Sequence, residues 1–142
     1  MKIFIYYQGD NLFLKEIINK ILIEYSDEVI EIQIDHKNFD LNLLIEKVKY
    51  LLYNNKNSLS IVLIDDYIEF YIKINKYERI RCSPCLTIKE AKLTRDHNNS
   101  NILAVSNSII EKDILIDIIK TYLDTPFSKI ERHQNRIDLI EN

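Results

Sequence analysis

Short apolar runs alternate with amphipathic stretches along this chain, and that alternation restricts the folds open to it. KIFIYY (2–7), EVIEIQI (28–34), SIVLI (60–64), RIRC (79–82) and NILAVS (101–106) read as strands. Between the first two, NLFLKEIINKILIEY (11–25) places Leu12, Ile17, Ile18 and Ile21 at helical spacing. LNLLIEKVKYLLYN (41–54) predicts a second helix, and a mixed segment follows around Ile68, Ile72 and Ile74. TIKEAKLTRDH carries a helical pattern opened by Thr87 and Glu90, a capping-box spacing. IIEKDILIDIIKTYL, after Ser108, predicts a helix that stops before Pro126, and a closing helix is expected from Ser128. Strands that alternate with helices need a parallel sheet covered on both faces. The expected fold is therefore α/β: a three-layer αβα sandwich with a central five-stranded Rossmann-like sheet and a C-terminal helix. In such sheets ligands sit outside the carboxyl ends of the strands.

At 142 residues, with no internal repeat, linker or low-complexity tract, one domain spanning 1–142 is expected. A net charge of −3 gives no general attraction to nucleic acid or anionic membrane, so any basic site must be local. No apolar run approaches the roughly 20 residues that span a bilayer, and no signal-peptide layout precedes KIFIYY. A cytoplasmic protein without nucleic-acid or membrane partners is the expectation. The single glycine, Gly9, stands against an average usage of about 7%. Glycines let backbone amides approach a phosphate closely, so a glycine-rich phosphate cradle is excluded.

Several polar constellations could carry chemistry. Arg132 and Arg136 stand at i,i+4 and could fork onto a phosphate, although a solvated basic face balanced by Glu131 and Asp138 is the simpler account of spacing alone. TRDHNN ends a helix, where His97 could move a proton and Asn98 could hold a sugar hydroxyl; equally, His97 could offset the helix dipole while Asn98 or Asn99 takes a left-handed cap. IDDYIE places Asp65, Asp66 and Glu69 after the third strand, as a metal site, a general base or an ordinary N-cap turn. CSPC is a lone CxxC; neither a redox pair nor a zinc site finds its remaining parts, so Cys82 and Cys85 read as two small, partly buried thiols.

Taken together, TRDHNNSNILAV and the tail TPFSKIERHQNRIDLI resemble the ribose-5-phosphate isomerase B family, which includes the subunits of galactose-6-phosphate isomerase. The family shows a stretch like AREHNNANVLALG and a tail like T-P-W/F-S followed by RHxxRI. The resemblance implies that Arg132 and Arg136 grip a sugar phosphate, and that His97 and Asn98 contact the sugar and assist ring opening. Gln8 and His133 join them by position as substrate-binding candidates. It further implies a site built between two subunits of a dimer or tetramer, with no cofactor and no metal.

The departures fall on the catalytic side. Where the family carries an Asp-His pair after its first strand, this chain has Gln8 and Gly9. Where it carries a glycine-rich loop whose amides hold the developing enediolate oxygen, this chain reads Ile64-Asp65-Asp66-Tyr67-Ile68-Glu69. The cysteine base of one branch falls at Ile64 and the glutamate base of another at Phe70, which leaves Asp66 and Glu69 as candidate bases. General-base help is typically worth ~10²–10⁴-fold, and each oxyanion donor ~10²–10³-fold. The expected function is that of an aldose–ketose sugar-phosphate isomerase subunit with little activity alone. It would complete an intersubunit site, in a homo-oligomer or in a heteromer with a catalytic family subunit. A catalytically silent sugar-phosphate binder serving as sensor or scaffold is the alternative.

Overall fold

The computed structural model describes residues 1–26 and 28–141. Among them, strands and helices alternate as β1 (Lys2–Gln8), α1 (Leu12–Tyr25), β2 (Val29–Ile34), α2 (Leu41–Tyr53), β3 (Ser58–Leu63), α3 (Tyr67–Ile74), β4 (Cys82–Pro84), α4 (Ile88–Asn98), β5 (Ile102–Val105), α5 (Lys112–Asp124) and α6 (Glu131–Glu141). The strands form one five-stranded sheet in the order β2-β1-β3-β5-β4, and every pair is parallel. This is the three-layer arrangement expected from the alternating pattern.

Alternation along the central strands divides the core between the two faces. Ile3, Ile5 and Tyr7 of β1 pack with Leu14, Ile17 and Ile21 of α1 and Leu115, Ile118 and Ile119 of α5. Phe4 and Tyr6 point the other way, against Leu44, Ile45 and Val48 of α2 and Phe70 and Ile74 of α3. β3 sits between β1 and β5 and is buried at every position, which explains its unbroken apolar run. Helices α1, α2 and α4 start where short polar side chains cap them. The Asn11 side chain accepts from Leu14 N (2.9 Å), and Asp40 accepts from Asn42 N and Leu43 N (3.0 and 3.2 Å). Thr87 Oγ1 accepts from Glu90 N at 3.1 Å as the capping-box spacing requires, while the Glu90 carboxylate takes the N–H of Leu86 rather than that of the cap.

Several boundaries differ from the sequence expectation, and α5 begins at Lys112, three residues after Ile109. RIRC is not the fourth strand: β4 begins at Cys82, because Arg79 adopts a left-handed φ of 61° and Asn75 brackets Cys82 with two side-chain bonds of 2.8 Å. Pro84, which lacks an N–H, is tolerated because β4 lies at the sheet edge. The mixed segment is an eight-residue helix, α3. The last helix begins at Glu131, three residues later than Ser128, whose hydroxyl instead accepts from Ile130 N. No helix among the described residues is long and apolar enough to cross a membrane.

Candidate functional site

The topology separates the sequence-derived candidates into two groups. Every helix between parallel strands returns from the carboxyl edge of the sheet to the amino edge. Gln8, Asp66 and Glu69 therefore lie at the carboxyl edge, after β1 and β3, whereas His97 and Asn98 end α4 at the amino edge. The bond from Ser60 N to Asn101 O (3.0 Å) fixes the loop after α4 against the middle strand. A six-residue strand at about 3.3 Å per residue holds the two groups roughly 20 Å apart within one chain.

At the amino edge α6 lies across the end of α4. The His97 and His133 rings are 4.2 Å apart between centroids at an interplanar angle of 31°. His97 remains half-exposed, with Nε2 3.5 Å from Asp96 Oδ2. Asn98 is exposed and Asn99 takes the left-handed C-cap (φ 49°), as the capping reading of TRDHNN expects, while the His97 and Asn98 side chains remain accessible to solvent. Arg132 and Arg136 are exposed, and neither has a hydrogen-bond or ion-pair partner among the described residues. Two exposed guanidiniums one helical turn apart concentrate positive charge on this face of α6. His133, by contrast, is 3% exposed and shares a 2.8 Å bond between Nδ1 and Ser128 Oγ. Burial, then the positive charges of His97 and Arg132, hold its pKa below the ordinary imidazole value.

This corner is braced by residues the sequence reading did not single out. Arg95, on the inner side of α4, donates from Nε to Thr125 O (3.1 Å) and from Nη1 to Asn99 Oδ1 (3.1 Å) and Ser100 O, with its guanidinium 5.7 Å from the Tyr122 ring centre. Arg81 donates to the carbonyls of Asn98 and Asn99 and pairs with Glu141 near the end of α6. Ser128 N reaches Asp96 O at 3.1 Å. One signal was present in the sequence: Arg95 falls i+4 from Ala91, on the buried stripe of α4, and a cation there needs acceptors.

At the carboxyl edge the chemistry is sparse. Gln8 is buried, and its side-chain oxygen accepts the N–H of Asp65 at 3.0 Å, while its carbonyl accepts from Asn107 Nδ2 at 3.1 Å. Asp65 and Asp66 are exposed; Asp66 occupies the N-cap of α3 without a side-chain cap bond. Glu69 lies on the exposed side of α3, paired with Lys73 at 2.9 Å. Phe70 is fully buried in the core beneath α2 and α3. Gly9, at φ 103°, lines a hollow of about 410 Å³ with Asp10, Gln33, Asp35, His36 and Lys37.

The thiols are inert. Cys82 and Cys85 are buried and unpaired, and they belong to the cores on opposite faces of the sheet. Burial pushes Cys85 up to about 12 and Cys82 well above the ordinary thiol value. Among the described residues no group of three His, Cys, Asp or Glu side chains is placed to hold a metal ion.

Residues 3–140 match the family described as Ribose/Galactose Isomerase. The chain is 32% identical over 84 residues to ribose-5-phosphate isomerase B of Mycolicibacterium paratuberculosis, a stretch covering 59% of this chain and 53% of that protein. The chain thus spans about half the length of the mycobacterial relatives it matches. Its fold superposes on ribose 5-phosphate isomerase B of Thermotoga maritima with a TM-score of 0.84, 30% identity, and coverage of 99% of this chain and 97% of that one. The Mycoplasma genitalium enzyme with bound ribulose-5-phosphate gives a TM-score of 0.81 at 26% identity, with 99% and 95% coverage. With a family match across nearly its whole length and a shared fold at both edges of the sheet, the chain belongs to the ribose/galactose isomerase family.

Proposed function

We propose that this chain is an aldose–ketose sugar-phosphate isomerase subunit with little turnover of its own, which lends its amino-edge corner to a site completed by another subunit. Arg132 and Arg136 receive the phosphate, while His97 and Asn98 contact the sugar and assist ring opening. The substrate is a phosphorylated aldose or ketose of the ribose 5-phosphate or galactose 6-phosphate kind, and the setting is cytoplasmic.

The observation that carries this reading is the division of the polar groups between opposite edges of the sheet. The amino-edge corner keeps the residues of the family motif, and Arg132 and Arg136 have no hydrogen-bond or ion-pair partner among the described residues. The carboxyl edge is poorer: Phe70 is core, Glu69 is paired with Lys73, the Asp65 amide is already bonded to Gln8, and Asp66 remains as an exposed carboxylate at the N-cap of α3. Moving a proton between C1 and C2 requires a positioned base and donors aimed at the oxyanion. A corner roughly 20 Å from its own chain's base edge is useful only to a ligand held by a second chain.

The test mixes purified chain with a family subunit that carries the missing base and glycine loop, and follows ribose 5-phosphate to ribulose 5-phosphate. Turnover above that of the partner alone, abolished by Arg132→Ala plus Arg136→Ala in this chain, is expected. No gain on mixing refutes the catalytic role. The second reading, a silent sugar-phosphate binder acting as sensor or scaffold, is favoured by the Glu69–Lys73 pairing and by the buried Phe70, which leave the base edge without a free carboxylate on α3. It is distinguished by calorimetric binding of ribose 5-phosphate that the same double substitution removes, with no turnover in any mixture.

A further inference from the structure

We infer that His133 is a positioning residue: it backs the His97 ring and fixes that ring's orientation at the sugar-binding corner. The inference rests on the functional reading above, but it concerns a side chain that the geometry withdraws from the ligand. His133 is 3% exposed, and its ring lies against that of His97 at 4.2 Å. It meets a bound sugar through His97, not directly.

Ser128 holds this ring from behind. Its hydroxyl oxygen accepts the N–H of Ile130 at 3.2 Å and lies 2.8 Å from His133 Nδ1, while its backbone N–H is bonded to the carbonyl of Asp96, the residue before His97. A hydroxyl oxygen can accept twice, so the 2.8 Å contact allows either direction; we take Ser128 Oγ–H as the donor to Nδ1, which leaves the His133 ring proton on Nε2. One serine thus registers the His133 ring and the backbone of the His97 turn against each other. The charged groups facing His133 are Asp96 and His97 from α4 and Arg132 and Arg136 from α6. Burial comes first, and two guanidiniums and a second imidazole stand against one carboxylate, so protonation of the ring is disfavoured. A protonated His133 would repel the cations and lose Nδ1 as an acceptor, so the stack would open as the pH falls.

The chain has three histidines, at 36, 97 and 133, so ¹⁵N spectra of the whole protein can be assigned by single substitutions. The expected result is an Nε2–H pattern for His133 in the unaltered chain, with protonation only below the ordinary imidazole range. In both Ser128→Ala and His133→Phe the His97 ring signals should move, in the absence of any ligand. Ribose 5-phosphate affinity should fall about 3- to 10-fold in Ser128→Ala, as expected for one lost hydrogen bond. If His133→Phe fails to fold, Ser128→Ala decides, with its far-ultraviolet spectrum confirming the fold. An Nδ1–H tautomer, ordinary titration of His133, or unmoved His97 signals in the folded variants overturns the inference. Absence of ribose 5-phosphate binding by the unaltered chain overturns the functional reading instead, and the His97 signals still decide the role of His133.

Discussion

Replacing Arg95 with methionine removes the brace of the binding corner while keeping an apolar stem of similar reach. In the folded chain Arg95 is 9% exposed and serves Thr125 O, Ser100 O and Asn99 Oδ1. Methionine leaves two backbone carbonyls without these donors, each costing about 1–3 kcal/mol where water cannot replace them. Relief of the buried charge offsets part of that loss, because no carboxylate among the described residues neutralises Arg95. The stem can still pack over Tyr122. The net expectation is a loss of about 2–4 kcal/mol, a large fraction of the roughly 5–15 kcal/mol that holds a domain folded. At about 3–4 °C per kcal/mol for a domain of this size, Tm should fall by about 6–16 °C. Circular dichroism melts of Arg95→Met beside Arg95→Lys measure this. Lysine keeps the charge but cannot fork onto three acceptors, so it should recover less than half of the loss. An Arg95→Met protein that melts within about 2 °C of the parent would refute the claim that this guanidinium organises the turn, since that shift is under 1 kcal/mol.

Phe70→Ala, which deletes a fully buried ring between α3 and the sheet, should cost about 3–5 kcal/mol in urea unfolding, and Phe70→Glu at least as much; a soluble, equally stable Phe70→Glu protein would place position 70 outside the core. Because His133 has its pKa lowered by burial, the unfolded chain takes up its proton first; stability is fully present above the ordinary value of 6.5 and declines as the pH falls below it, so urea midpoints should drop between pH 6.5 and 5 in the parent and less in His133→Phe. A colourimetric thiol reagent at pH 8 should find almost no reactive cysteine in the folded protein and two after denaturation; two rapid native reactions would contradict the burial of Cys82 and Cys85.

The fold was legible in the sequence because its signal is repeated: five apolar runs separated by amphipathic ones admit few arrangements besides a doubly covered parallel sheet. Edges were harder. RIRC has the composition of a strand, yet the start of β4 is set by the Asn75 side chain and by a left-handed Arg79, neither visible as periodicity. Arg132, Arg136, His97 and Asn98 could be proposed from the resemblance, and the structure brings their helices together through the His97–His133 contact. What the sequence hid was the support. Arg95, Ser128 and the Arg81–Glu141 pair act across 30, 5 and 60 residues of chain, and no local pattern encodes such partners. His133 stands between the two arginines in sequence and looks equally free, but the helix turns it inward.

The Gln8 carboxamide bears on any attempt to revive proton transfer at this chain's own carboxyl edge. Its oxygen occupies the Asp65 amide, so that N–H is already satisfied within the fold and is not free to donate to a substrate oxygen. Ile64→Cys alone would add a thiol beside an amide that is already engaged, and Gln8→Ala alone would free the amide with only the exposed Asp65 and Asp66 carboxylates beside it. Under the proposed reading each change is therefore expected to be silent by itself, and only the two together would present a free amide and a thiol to the same ligand.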